Sequence, residues 1–238
     1  MFSRKLTRSI VAGAAAVAVA GGSYGIVSAA SGSGSTAAAS TTPPASGSSG
    51  GGGSNARSGP AAGGSSGTVS SLSTSGFTIT TSAGQKVTVK EASSTTYQNG
   101  TSPASASAIT SGESVLVLGT VNTTNGTTIA ATQVIVQPTG SGGYAASSAA
   151  GVVPFQSGAA STSKQVGQIP ANYSQGSGTI VSGTAANKAT EAALAAYPGG
   201  VVDRVVKLSN GEYEVHNIGV NWPHHIFVSK SFKVVGAD

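Results

Sequence analysis

The sequence predicts a multidomain chain: a small all-β barrel and a small α+β module, one helix on an antiparallel sheet, joined by disordered Gly/Ser/Ala-rich linkers. Three observations lead there. Residues 66–138 alternate apolar and polar positions with period two and carry turn signals between the runs, as short half-buried strands do. Residues 179–238 open on a helical pattern, stop at Pro198-Gly199-Gly200 and continue as paired strand-like runs. The remainder is dominated by Gly, Ser, Thr and Ala, which bury too little apolar surface to offset chain entropy.

In chain order, residues 1–9 (MFSRKLTRS) form a positive segment and residues 10–20 (IVAGAAAVAVA) an apolar run of signal-peptide length. Gly21-Gly22 break that run, and Val27-Ser28-Ala29 offers small residues for a cut after Ala29. The other reading is an uncleaved anchor, since residues 10–30 are long enough to cross a bilayer. Both readings place the rest of the chain outside the cytoplasm, secreted or anchored to the membrane by its N-terminal segment. Residues 31–65 read as a tether, a coil of roughly 35 residues with an end-to-end distance on the order of 30 Å.

Within 66–138, Phe77-Thr78-Ile79-Thr80 and Lys86-Val87-Thr88-Val89-Lys90 are alternating strands around the turn Ser82-Ala83-Gly84-Gln85. Val115-Leu116-Val117-Leu118 is denser in apolar residues, as a strand buried on both faces would be. Asn125-Gly126 is a hairpin signal, and Thr132-Gln133-Val134-Ile135-Val136 completes the set before Pro138. Together with Gly67-Thr68-Val69, Thr95-Thr96-Tyr97 and Gly112-Glu113-Ser114, these strands resemble a bacterial extracytoplasmic OB-like β-barrel domain of unknown function. That resemblance implies a fold and a location, and no activity.

Residues 139–178 read as a second linker, in which only 152–155 is apolar enough to dock on a neighbour. In 179–238, Thr184 is placed to cap a helix over 185–197, with Ala186, Ala189, Ala193 and Tyr197 on one face. The small Ala side chains let such a helix lie close to a sheet. Strands are predicted over 201–208, 212–218, 225–228 and 232–235. Residues 189–200, Val202-Asp203-Arg204-Val205, Asn210-Gly211-Glu212-Tyr213-Glu214-Val215 and Phe227-Val228-Ser229-Lys230-Ser231-Phe232-Lys233-Val234 resemble the PepSY-like domains of exported actinobacterial proteins. The departure is residues 219–225 (GVNWPHH), where such domains carry a short Asp-Gly turn. The resemblance implies an envelope interaction module or a regulator of peptidases, and brings no catalytic residues.

Charge and chemistry narrow the function further. The net charge of +5 owes three units to Arg4, Lys5 and Arg8; without them nine basic residues face seven acidic ones. No basic patch with interleaved aromatics exists, so nucleic acid is not an expected partner. The absence of Cys excludes disulfides, thiolate metal sites and a Cys nucleophile, and suits a bacterial surface protein. Two G-x-S-x-G matches, at 21–25 and 63–67, fall in low-complexity sequence, away from any strand-to-helix elbow.

His216, His224 and His225 are the three histidines. Strand alternation would send His224 and His225 to opposite faces, so no metal and no cofactor is expected, although His216, one of that pair and Glu214 could supply ligands. Glu212 and Glu214 would share a strand face, either as an acid/base pair or, more simply, as a solvated face. Asn221, Trp222, His224 and His225 are the candidate partner-binding residues; the bland alternative is that Trp222 plugs the open end of a small sheet. The expected function is an exported, non-enzymatic protein-binding module, with an extracytoplasmic protein such as a peptidase as its partner. The alternative is a structural cell-surface spacer.

Overall fold

The computed structural model describes residues 60–122, 124–138, 151–158 and 164–238. The predicted signal or anchor segment, the tether up to residue 59 and residues 139–150 and 159–163 of the second linker lie outside the described residues.

Strands β1 (Ala61–Ser73), β2 (Gly76–Thr80) and β3 (Lys86–Lys90) form an antiparallel meander. β4 (Thr96–Asn99) and β5 (Ser102–Ala104) make a small hairpin, followed by a single 3-10 turn at Ala106–Ala108. β6 (Ser114–Val121) and β7 (Thr128–Val136) are a long antiparallel pair. β6 returns to β1, and β7 lies parallel to β3, so the order β1-β2-β3-β7-β6-β1 closes a five-stranded barrel. Its interior is filled by Val69, Phe77, Ile79, Val87, Val89 and their neighbours, none more than 6% exposed. Filling of this kind is what the alternating pattern of each strand provides.

The strand expected to be buried on both faces is so. Val115 and Val117 of β6 join the barrel interior, while Leu116 and Leu118 face a second core outside it.

That second core is roofed by helix α1 (Gly183–Ala196). Ala186, Ala189, Ala193 and Leu194 are fully buried beneath it, with Tyr197 just past its end. Ser182 in extended backbone precedes the helix, so Thr184, the expected cap, lies in the first turn instead. Between the two, Gly183 takes φ 67°, a left-handed conformation that glycine adopts without steric cost. The sheet under the helix is β11 (Val201–Lys207), β12 (Tyr213–Ile218), β14 (His225–Val228) and β15 (Val234–Ala237), all antiparallel. Phe232 belongs to the turn between β14 and β15, at φ 59°, and stacks on Tyr213 at 5.4 Å. Short strands complete the picture: β8 (Val153–Pro154) pairs with β13 (Val220–Trp222), β9 (Val166–Gly167) with β15 and β10 (Thr179–Ile180) with β11.

The two predicted modules meet in one sheet. β1 pairs with β11, Gly64 opposite Val202 and Ser65 opposite Val201. Ser65 Oγ donates to Gly200 O (2.9 Å) and Thr81 Oγ1 to Gly199 O (2.7 Å), which ties the loop after the helix to the barrel. The core under the helix takes Leu116, Leu118 and Ile135 from barrel strands.

This junction corrects the tether boundary. Residues 61–65 belong to β1, and the Gly63-Gly64-Ser65-Ser66-Gly67 match lies in a central strand. A Cβ at Gly63 would strike the Val202 carbonyl, and one at Gly64 the Val117 carbonyl. The low-complexity composition there is a close-approach requirement, with neighbours on both edges of the strand.

Candidate functional site

The face of the β11-β12-β14 sheet turned away from the helix carries the only dense group of ionisable side chains among the described residues that are held together by short contacts. The sheet places them by register. His216 of β12 lies opposite His225 of β14, and Glu214 opposite Phe227. Between Val202 and Arg204 the β11–β12 register shifts, leaving Asp203 as an extra, unpaired residue. Val202 and Val205 pack under the helix while both Asp203 and Arg204 stay available to the opposite face. A bulge re-aims side chains in this way.

Two imidazole–carboxylate pairs result. His216 Nδ1 is 2.6 Å from Asp203 Oδ1, and His225 Nδ1 is 2.7 Å from Glu214 Oε1. Carboxylate oxygens accept, so each Nδ1 donates. Arg204 Nη1 donates to Asp203 Oδ2 at 3.1 Å, and its Nε is buried without a partner. Glu214 is fully buried. Tyr173 Oη donates to Glu214 Oε1 (3.3 Å) and lies 3.1 Å from His225 Nδ1. Burial, then the neighbouring Glu214 carboxylate, pushes the Tyr173 hydroxyl above its ordinary range, so it remains a donor.

His224 joins the same group. Its ring centre is 6.4 Å from that of His216, and its Nδ1 lies 3.2 Å from Asn217 O. The expectation that His224 and His225 would point to opposite faces is corrected, because β14 begins at His225 and His224 precedes the alternating strand. Burial lowers the His224 pKa, against the opposing effect of its backbone hydrogen bond to Asn217, and the adjacent His216 and His225 lower it further.

The remaining predicted residues separate. Trp222 is 2% exposed and plugs the end of the helix core. It meets Tyr197 edge to face at 5.5 Å, donates from Nε1 to Lys164 O (2.6 Å) and carries Lys164 Nζ 4.3 Å from its ring centre. Asn221 is also buried. Glu212 is not paired with Glu214: it turns outward to Asn210 Nδ2 at 2.7 Å. The apolar 152–155 stretch does reach a neighbour, with Val152 and Val153 packed on the helix core, while Phe155 stays 61% exposed. Residues 169–180 strap over the sheet's second face, where Ile169, Tyr173 and Ile180 pack on Val206, Leu208 and Phe227.

Sequence reasoning passed over Tyr173, Asp203 and Arg204. Two adjacent charges inside Val201-Val202-Asp203-Arg204-Val205-Val206 were the available signal. Under strict alternation one of them would enter the core, so the run demands a bulge.

A different opening lies between the barrel and the helix. A groove of about 720 Å³ is bordered by Gln98, Gln133, Gln137, Asn187, Lys188 and Glu191, among others, over a floor of Leu118 and Ile135. No helix among the described residues is long and apolar enough to cross a membrane. No family model, curated protein or solved structure matches the chain.

Proposed function

We propose that this chain is an exported, non-enzymatic protein-binding module that restrains a peptidase of the cell envelope. The observation that carries this reading is the groove between barrel and helix. Carboxamide side chains such as Gln98, Gln133, Gln137 and Asn187 both donate and accept, and so can pair with either polar group of an extended backbone. Leu118 and Ile135 beneath them offer apolar contact, and Lys188 and Glu191 supply charge at the rim. A segment of a partner protein fits this chemistry better than a small apolar ligand does. The N-terminal pattern of the sequence supports placement outside the cytoplasm.

Two finer assignments accompany this reading. The barrel is OB-like, supported by its five-strand closure with β3 and β7 parallel. The C-terminal half is PepSY-like, supported by one helix followed by an antiparallel sheet. Partner binding is assigned to the groove, because Asn221 and Trp222 are inside the protein, and His224 and His225 are partly buried.

The test immobilises the whole chain, captures envelope and culture-fluid proteins, and assays each captured peptidase for inhibition. Retention and inhibition by the native chain, lost on joint Gln133→Ala and Asn187→Ala substitution, support the reading. An empty capture, or capture without inhibition, overturns the peptidase assignment and favours the spacer role.

A further inference from the structure

We propose that His216 and His225 form a chelating site for a divalent transition-metal ion of the kind that prefers imidazole, with Asp203 and Glu214 as the residues that orient the two rings. The backbone sets the pair. Asn217 N donates to His224 O at 2.7 Å, so 217 and 224 are a hydrogen-bonded pair, and His216–His225, one step along, is a non-hydrogen-bonded pair. Cross-strand side chains approach most closely at such positions, with Cα atoms about 4.5 Å apart. The ring centres are 5.3 Å apart. Two imidazoles that bind one ion at about 2.0–2.1 Å in tetrahedral geometry have ring centres roughly 5 Å apart.

The hydrogen bonding selects which nitrogens are left. Both Nδ1 atoms are committed to carboxylates, and among the described residues no hydrogen bond engages Nε2 of either ring. A ligating histidine characteristically gives its other N–H to a carboxylate or carbonyl, which fixes the tautomer and raises the basicity of the free nitrogen. Both rings here are held so. His216 and His225 keep 15% and 14% of their side-chain surface exposed, so neither ring is sealed from solvent. The two carboxylates also lower the cost of bringing a cation to this face, against the single opposing charge of Arg204.

Among the described residues no set of three His, Asp or Glu side chains already converges on one point. The site is therefore a two-imidazole chelate whose remaining positions go to water or to His224, the nearest further imidazole. Imidazole donors select Cu²⁺, Ni²⁺ or Zn²⁺ over Mg²⁺ and Ca²⁺, which require oxygen ligands.

The experiment titrates the purified whole chain with Cu²⁺, Zn²⁺ and Mg²⁺ by calorimetry and thermal unfolding. One Cu²⁺ or Zn²⁺ per chain is expected, with a raised Tm and no response to Mg²⁺. His216→Gln and His225→Gln should each weaken binding at least tenfold. Asp203→Asn should weaken it by roughly 10- to 100-fold with unchanged stoichiometry, as loss of an orienting partner does. Emission from buried Trp222 reports whether each variant is folded. Ring ¹⁵N shifts on Zn²⁺ addition test the wild-type chain directly: Nε2 of His216 and His225 should move while both Nδ1 stay protonated. Folded His216→Gln/His225→Gln protein that binds as wild type, or a wild-type chain whose two Nε2 signals do not move, overturns the proposal.

Discussion

Trp222 is the chain's only tryptophan, and its place in the core makes it a reporter of the fold. Its emission should lie to the blue of free tryptophan, resist quenching by acrylamide and move to the red on urea unfolding. Trp222→Ala should cost about 3–5 kcal/mol, because it leaves a cavity beside Tyr197, as read from the urea midpoint. Loss of partner capture by that variant would therefore report unfolding. Tyr97 carries a pH prediction. Burial, and then its hydrogen bond to Glu91 Oε1 (2.9 Å), pushes its hydroxyl from 10.0 to about 12. The folded state thus favours the protonated phenol. That contribution is complete below pH 10 and is lost as pH rises from about 10 to 12. Over this window the urea midpoint of wild type should fall more steeply than that of Tyr97→Phe; parallel curves would refute the assignment. At this scale the sequence showed His216, His225 and Glu214 as one possible grouping, and the structure does bring these three together. Asp203 and Arg204 show in the sequence only as two adjacent charges in an apolar run, and Tyr173 not at all, because a bulge and a strap over the sheet place them, and neither has a period.

Elements were legible where apolar periodicity made them and illegible where close approach did. The strands at Gly76–Thr80, Lys86–Lys90 and Ser114–Val121 and the helix with its Ala face fall within a few residues of expectation. Residues 61–65 were hidden because β1 is flanked by β6 on one side and β11 on the other, and glycine there leaves room for neighbouring carbonyls. Gly63→Ala places a methyl group on the Val202 carbonyl and should destabilise the fold by about 1–3 kcal/mol, seen as a lower urea midpoint with an unchanged slope. Gly84→Ala, at a turn where a Cβ would meet nothing within 4 Å, should lose only the smaller cost of its φ of 84°. If Gly63→Ala is as stable as Gly84→Ala, the crowding account of β1 fails.

At the scale of the whole molecule, the junction between the halves decides how the protein unfolds. The β1–β11 pairing gives the barrel and the C-terminal sheet a common strand edge, and barrel residues Leu116, Leu118 and Ile135 lie in the core under α1. Neither half can open without exposing side chains of the other. The described residues also belong to one compact unit. Calorimetry of residues 60–238 should show one transition, with calorimetric and van't Hoff enthalpies equal. Residues 179–238 alone would lack the strand that covers β11 and three apolar side chains of their core. That fragment should keep helical and strand signals in far-ultraviolet dichroism, lose near-ultraviolet dichroism and bind a hydrophobic dye, as a loosely packed state does. Two separable transitions in the long chain, or a fragment with native near-ultraviolet dichroism, would show instead that each half folds by itself. The sequence could not reveal this coupling, because a pairing between residues 64 and 202 leaves no local pattern; only the glycines that permit it are visible.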